Sequence, residues 1–117
     1  MRLSAKGLAV LTVVAGGVLL AACEGADRRL EGLRVGMPKD SVLAVMGTGP
    51  DRTDPYLYQG RYIEALYFRP SGKDKAEILG DRKMSPVVVI DGTVQGWGWA
   101  FWDSTASASH IEVAPDR

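Results

Sequence analysis

Apolar positions fall along the chain in three rhythms. The first is a continuous run from Gly7 to Leu20, interrupted only by Thr12 and preceded by Arg2 and Lys6. The second is helical. Val42, Leu43 and Met46 stand at i, i+1 and i+4 with Val45 beside them, between Pro38 and Gly47. Proline suits a helix start because its missing N–H would find no partner there. Asp40 adds negative charge where the helix dipole favours it, and Gly47 is placed to end the helix in a left-handed cap. Ahead of it, Leu33, Val35 and Met37 alternate with Arg34 and Gly36, which predicts a short extended entry. A helix this short does not hold alone in water, so it must lie on something, and a sheet is the candidate.

The third rhythm is β-like. Tyr56, Tyr58, Tyr62, Ile63, Leu66, Tyr67 and Phe68 surround a Gln59-Gly60 turn signal, which predicts strands over 56–58 and 61–68 after a polar loop reaching Asp54-Pro55. Arg69 to Ser85 is charged and holds Pro70, Gly72 and Gly80, so it reads as a long connection with a weak helical turn at Ala76 to Leu79. The runs 86–90 and 93–102 flank Asp91-Gly92, the signature of a two-residue type I′ hairpin, whose turn positions both need positive φ. Regular pairing sets Val89 opposite Val94 and Val87 opposite Gly96. One face then carries Val87, Val89, Val94, Gly96, Gly98 and Ala100, and the other Trp97, Trp99 and Phe101. The expected fold is α+β and two-layer: one or two short N-terminal helices packed on an antiparallel sheet of three to four strands. Its domain spans 33–103, and 104–117 reads as a flexible tail without packing signal.

The first run is a different kind of segment. A basic start followed by a 14-residue run that is apolar but for Thr12 has the form of a secretory signal. As a helix it would span about 21 Å, short of the ~30 Å hydrocarbon core of a bilayer. The junction Leu20-Ala21-Ala22-Cys23 resembles the lipobox of bacterial lipoproteins. That resemblance implies a signal peptide over 1–22, cleavage after Ala22, and covalent diacylglycerol and N-acyl lipid (palmitate is typical) on Cys23. The other reading is an ordinary signal peptide that leaves a free cysteine. A single acyl chain anchors marginally, whereas two or three hold a protein at a membrane. Residues 23–32 then read as a polar tether. Glu24 stands where Asp is the usual inner-membrane retention signal, so the expected location is lipid-anchored and periplasm-facing in a bacterial cell envelope, with the outer membrane favoured over the inner.

Composition narrows the chemistry further. The 95 residues from Cys23 onward hold one modest core, burying about 60 to 65% of their unfolded surface. The whole chain is formally neutral, but Arg2 and Lys6 lie in the leader, so the remainder is slightly acidic at about −2. No basic stripe exists to follow a phosphate backbone, and no nucleic-acid partner is expected. Cys23 is the only cysteine and His110 the only histidine. A disulfide within the chain is excluded, a metal site is not expected, and no catalytic residue is assigned. Ser104 and Asp103 near His110 lack the spacing of a triad. The protein is therefore expected not to be an enzyme, with no cofactor beyond the lipid on Cys23.

Leu33-Arg-Val-Gly-Met-Pro-Lys-Asp-Ser-Val42, followed by Met46-Gly47 and Pro50, resembles the signature of the SmpA/OmlA (BamE-like) small outer-membrane lipoproteins. The later Tyr56-x-Tyr58 and Ala65-Leu-Tyr-Phe68 are similar to that family's strands, and the likeness spans about 33–102. It implies Gly36, Met37, Val42 and Gly47 as motif residues and an accessory role in envelope assembly. Two features depart from the pattern: Pro38 stands where Ser or Thr usually caps the helix, and the 69–85 connection is long. Gly96-Trp97-Gly98-Trp99 looks more like a separate branch of the superfamily. Trp97, Trp99, Phe101 and Trp102 remain, either as core or as a contact surface for a protein or lipid headgroups. Envelope assembly proteins and the membrane are the expected partners. The alternative is a periplasmic ligand-binding or inhibitor-type module that uses the Trp-rich hairpin.

Overall fold

A computed structural model describes residues 27–74 and 76–113. The elements run from a 3-10 turn at Arg28–Gly32 through α1 (Lys39–Met46), β1 (Arg52–Tyr58), β2 (Arg61–Phe68), a second 3-10 turn at Asp81–Lys83, β3 (Ser85–Ile90) and β4 (Thr93–Trp97) to α2 (Trp99–Ala108). The four strands form one antiparallel sheet in the order β1-β2-β3-β4. The protein is thus α+β with the expected sheet. Both hairpins turn on two residues with positive φ, Gln59 (50°) with Gly60 (77°) and Asp91 (51°) with Gly92 (82°). That backbone matches the right-handed twist of the flanking strands.

Each helix covers one face. On the first face Val42 and Met46 of α1, with Leu30 and Leu33, meet Leu66, Phe68, Val87, Val89 and Val94. On the second, Trp102 and Ala106 of α2 meet Ile63, Ala65, Tyr67, Val88 and Ile90, with Met84 from the end of the long connection. The expected two layers therefore become three, with a C-terminal helix as the third. Of the predicted α1 stripe, Val42 and Met46 are buried, Val45 packs partly, and Leu43 is 38% exposed. β1 begins at Arg52 rather than Tyr56 and contains Pro55. As an edge strand it tolerates a residue with no N–H to give.

The flexible tail expected over 104–117 is corrected as far as Val113 by α2 and the segment after it, and 114–117 lie outside the described residues. Gly98, at φ 92°, ends β4 at Trp97, five residues short of the expected Trp102, and its carbonyl accepts the first helical bond from Trp102 N–H at 3.0 Å. Trp102 and Ala106 stand four apart and are both buried, which places them on one helix face. Ile111 N–H then bonds the Ala106 carbonyl at 2.8 Å, and Ile111 and Val113 pack on the second core. The tether expected over 23–32 is shortened in the same way, because Leu30 is 5% exposed and belongs to the first core. The weak turn expected at Ala76 to Leu79 is not a helix; the helical turn of that connection lies at Asp81–Lys83.

A β-bulge fixes the end of the sheet. Val89 pairs with Val94 as expected, but Val88 pairs with Gly96 and Val87 with Trp97, leaving Gln95 as the extra residue. The alternation slips by one. Trp97 joins the first core beside Val87, and Gly96 turns to the α2 face, where a Cβ would lie 2.8 Å from the Phe101 ring. Because Trp102 fills the centre of the second core, Trp102→Ala should cost about 3 to 5 kcal/mol. Its urea midpoint should fall accordingly; a midpoint within error of wild type would show α2 to be peripheral.

Candidate functional site

The motif residues form a clasp on β4. Gly36, at φ 96°, donates its N–H to the Val94 carbonyl at 2.8 Å, Val94 N–H donates to the Met37 carbonyl at 2.9 Å, and Lys39 N–H donates to the Gly92 carbonyl at 3.0 Å. The exposed edge of β4 is thereby occupied. Val42 is fully buried below it, and Gly47 (φ 77°) closes α1 by donating to Leu43 O at 2.9 Å. Pro38 is the capping residue itself and supplies no side-chain bond. These roles are structural. Cys23 and Ala22 lie outside the described residues.

The aromatic candidates divide. Trp102 is wholly buried, stacks obliquely on Tyr56 (5.8 Å between centroids) and donates Nε1–H to the Tyr67 hydroxyl at 3.1 Å. Trp99 packs on Tyr67 (5.8 Å), donates to the Met84 carbonyl at 2.8 Å and carries the Arg82 guanidinium over its ring at 4.1 Å. Trp97 lies against the first core. Only Phe101, 36% exposed, presents a substantial apolar surface from this group. Beneath Trp99 and Trp102, Arg52 crosses the Tyr67 ring at 4.4 Å and binds both Asp54 and the buried Asp81. That bond anchors the long connection to β1. The paired carboxylates hold the Arg52 guanidinium well above its ordinary pKa, with the bond to Asp81 contributing most.

Two hollows open at opposite ends of the sheet. One, of about 530 Å³, lies beside Arg29 of the first 3-10 turn, Gly49, Arg69 and Ser71. Its arginines are engaged: Arg29 binds Asp27 and the carbonyls of Met46 and Arg69, and Arg69 binds Asp51 and the Asp74 carbonyl. Arg29 in turn holds the Asp27 carboxyl below the usual carboxylate range. The other, of about 450 Å³, lies between the Gln59-Gly60 turn and α2. Tyr58 and Phe101 line it with Arg61, Gln59, Gln95, Ser104, Thr105 and Ser109, and Ile63 and Ile90 contribute apolar lining. His110 stacks on Tyr58 at 5.6 Å between ring centroids. Among the described residues no group of three or more His, Cys, Asp or Glu is placed to hold a metal ion, and no helix is long and apolar enough to cross a membrane.

Sequence reasoning singled out Phe101 but missed this cleft, since it took Trp99 to Phe101 as strand. The signal was present in the spacing of Trp99, Trp102 and Ala106, three and four apart, which is helical rather than alternating. Compared with protein families, curated proteins and solved structures, the chain finds no match.

Two variants test this geometry. Gly96→Ala forces the new methyl against the Phe101 ring and should cost about 1 to 3 kcal/mol, measured by denaturant titration. Burial pushes the Tyr67 phenol above its ordinary pKa, so the stability it contributes is complete below the unfolded tyrosine pKa of about 10 and is lost as pH rises beyond it. Tyr67→Phe should flatten that alkaline loss. At neutral pH the same variant should lose about 1 to 3 kcal/mol, because Trp102 Nε1–H is left buried without its acceptor.

Proposed function

We propose that the protein is a non-catalytic lipoprotein of a bacterial cell envelope, tethered by lipid on Cys23 and acting by protein contact as an accessory module in envelope assembly or maintenance. The observation that carries this reading is the Leu20-Ala21-Ala22-Cys23 junction at the end of a basic-then-apolar leader. Glu24 favours the outer membrane over the inner.

Two features of the fold support it. Asp27, four positions after Cys23, already caps the first 3-10 turn of the domain, so even a fully extended link would hold the domain within about 14 Å of the lipidated sulfur. The domain would work at the membrane surface. Leu57 (78% exposed) and Tyr62 (43%) are cross-strand partners on β1 and β2 and give the sheet a small apolar outer surface, in which Tyr62 is the kind of residue that anchors protein contacts. The alternative in which the Trp-rich hairpin itself takes a ligand is weakened by the burial of Trp102. The likeness to the SmpA/OmlA lipoproteins rests on the motif residues.

Intact mass of protein extracted from membranes should show a chain beginning at Cys23 and carrying two or three acyl chains. Cys23→Ser should move the protein out of the membrane fraction. An unmodified thiol, or a chain that keeps residues before Cys23, would defeat the proposal. A photo-cross-linker at Leu57 should capture the same envelope protein in repeated preparations; irreproducible capture would remove the accessory role while leaving the anchor standing.

A further inference from the structure

We infer that the cleft between the Gln59-Gly60 turn and α2 binds an acidic saccharide, a hydroxyl-rich ring bearing one carboxylate. Its lining has the two halves such a ligand requires. Tyr58 and Phe101 offer ring surface for the apolar C–H face of a sugar, while Gln95, Ser104 and Thr105 offer donors and acceptors for its hydroxyl rim. The volume, about 450 Å³, lies within the ~300 to 1,000 Å³ common for small-ligand sites.

The bulge builds part of this lining. By slipping the alternation it turns Gly96 to the α2 face beside Gln95, and the missing Cβ of Gly96 lets the Phe101 ring settle against the strand. Bulges re-aim side chains in this way next to binding sites. Gln95 spends at most one N–H on Thr93 O, at 3.5 Å, and keeps its amide oxygen. Charge selects the carboxylate: Arg61 lines the cleft and, unlike Arg29, Arg52, Arg69 and Arg82, forms no ion pair among the described residues. A guanidinium fork matches a carboxylate in bidentate geometry. An extended peptide is less well served, because the edge of β4, against which α2 lies, is already occupied by Gly36 to Lys39.

The cleft also lies at the end of the sheet away from Arg29, whose bonds to Met46 O and Arg69 O mark where the chain enters. Along the eight residues of β2 that separation is about 25 Å. The cleft would therefore face away from the membrane; this placement rests on the anchor proposed above, whereas the cleft's chemistry does not.

The test is titration of the mature chain with N-acetylmuramic acid and with N-acetylglucosamine, the same ring without the carboxylate, followed by backbone amide resonances. The acid should shift resonances of 58–61 and 101–105 at up to about 10 mM, and the neutral sugar should bind at least about tenfold more weakly. Arg61→Gln, at an exposed position, should reduce the acid to the level of the neutral sugar with an unchanged melting temperature. Gln95→Ala should weaken both sugars. No shift in the cleft, equal response to both sugars, indifference to Arg61→Gln, or equally tight binding of alanyl-alanine would overturn the inference. Intact mass of the same sample reads the anchor separately: binding by unlipidated protein fails only the anchor, and lipidated protein that ignores the sugar fails only the cleft.

Discussion

The two central strands are apolar on both faces, and the rest of the structure answers that constraint. Ile63, Ala65 and Tyr67 alternate with Leu66 and Phe68 along β2, while Val87 and Val89 alternate with Val88 and Ile90 along β3. A single helical layer would leave one of these sets in water. The chain therefore supplies one cover from its N-terminal side, Leu30 to Met46, and another from its C-terminal side, Trp99 to Val113. Neither is a stable helix by itself, since α1 has eight residues and α2 ten. Each owes its helicity to the sheet, and the sheet owes its dryness to both.

Polar groups then decide where the covers sit. Trp102 and Tyr67 meet inside the second core through a hydrogen bond, and Trp99 reaches the Met84 carbonyl. These bonds fix α2 in rotation and along its axis, which apolar packing alone specifies loosely. Arg52 does the same for the long connection by holding Asp81. On the first face, Lys39 reaches across to the buried Glu64 at 2.8 Å and ties the start of α1 to β2. Removing one partner from such a pair costs more than the pair itself contributes, because the other stays buried and unpaired.

What the sequence made legible follows from this division. The Gln59-Gly60 and Asp91-Gly92 turns, α1 and the two central strands were visible because each is a local signal: a dipeptide with forced φ, a glycine cap, or a dense apolar run. The third layer was not. Seen as continuing the hairpin, Trp97 to Phe101 alternates with small residues as a strand does, and the break at Gly98 depends on a positive φ that glycine permits without demanding. The small residues after Trp102 offered no amphipathic contrast, and only Ala106 marks their buried side. The cleft was illegible for the same reason, since Tyr58, Arg61 and Thr105 meet only once α2 folds back over the turn.

One inserted residue links the fold to the candidate site. Had β3 and β4 paired without interruption, Val87 would face Gly96, and Trp97 would point with Trp99 toward the second face. The extra residue at Gln95 reverses both positions. It sends Trp97 to close the first core, where Leu33 and Met37 also lie, and clears the second face for Phe101 beside Gly96. A regular ladder would crowd a tryptophan and a phenylalanine onto one side of a five-residue strand while leaving the first core short of a large side chain. The bulge gives up regular ladder pairing at one residue, and the return is two complete cores with an open cleft beside the second.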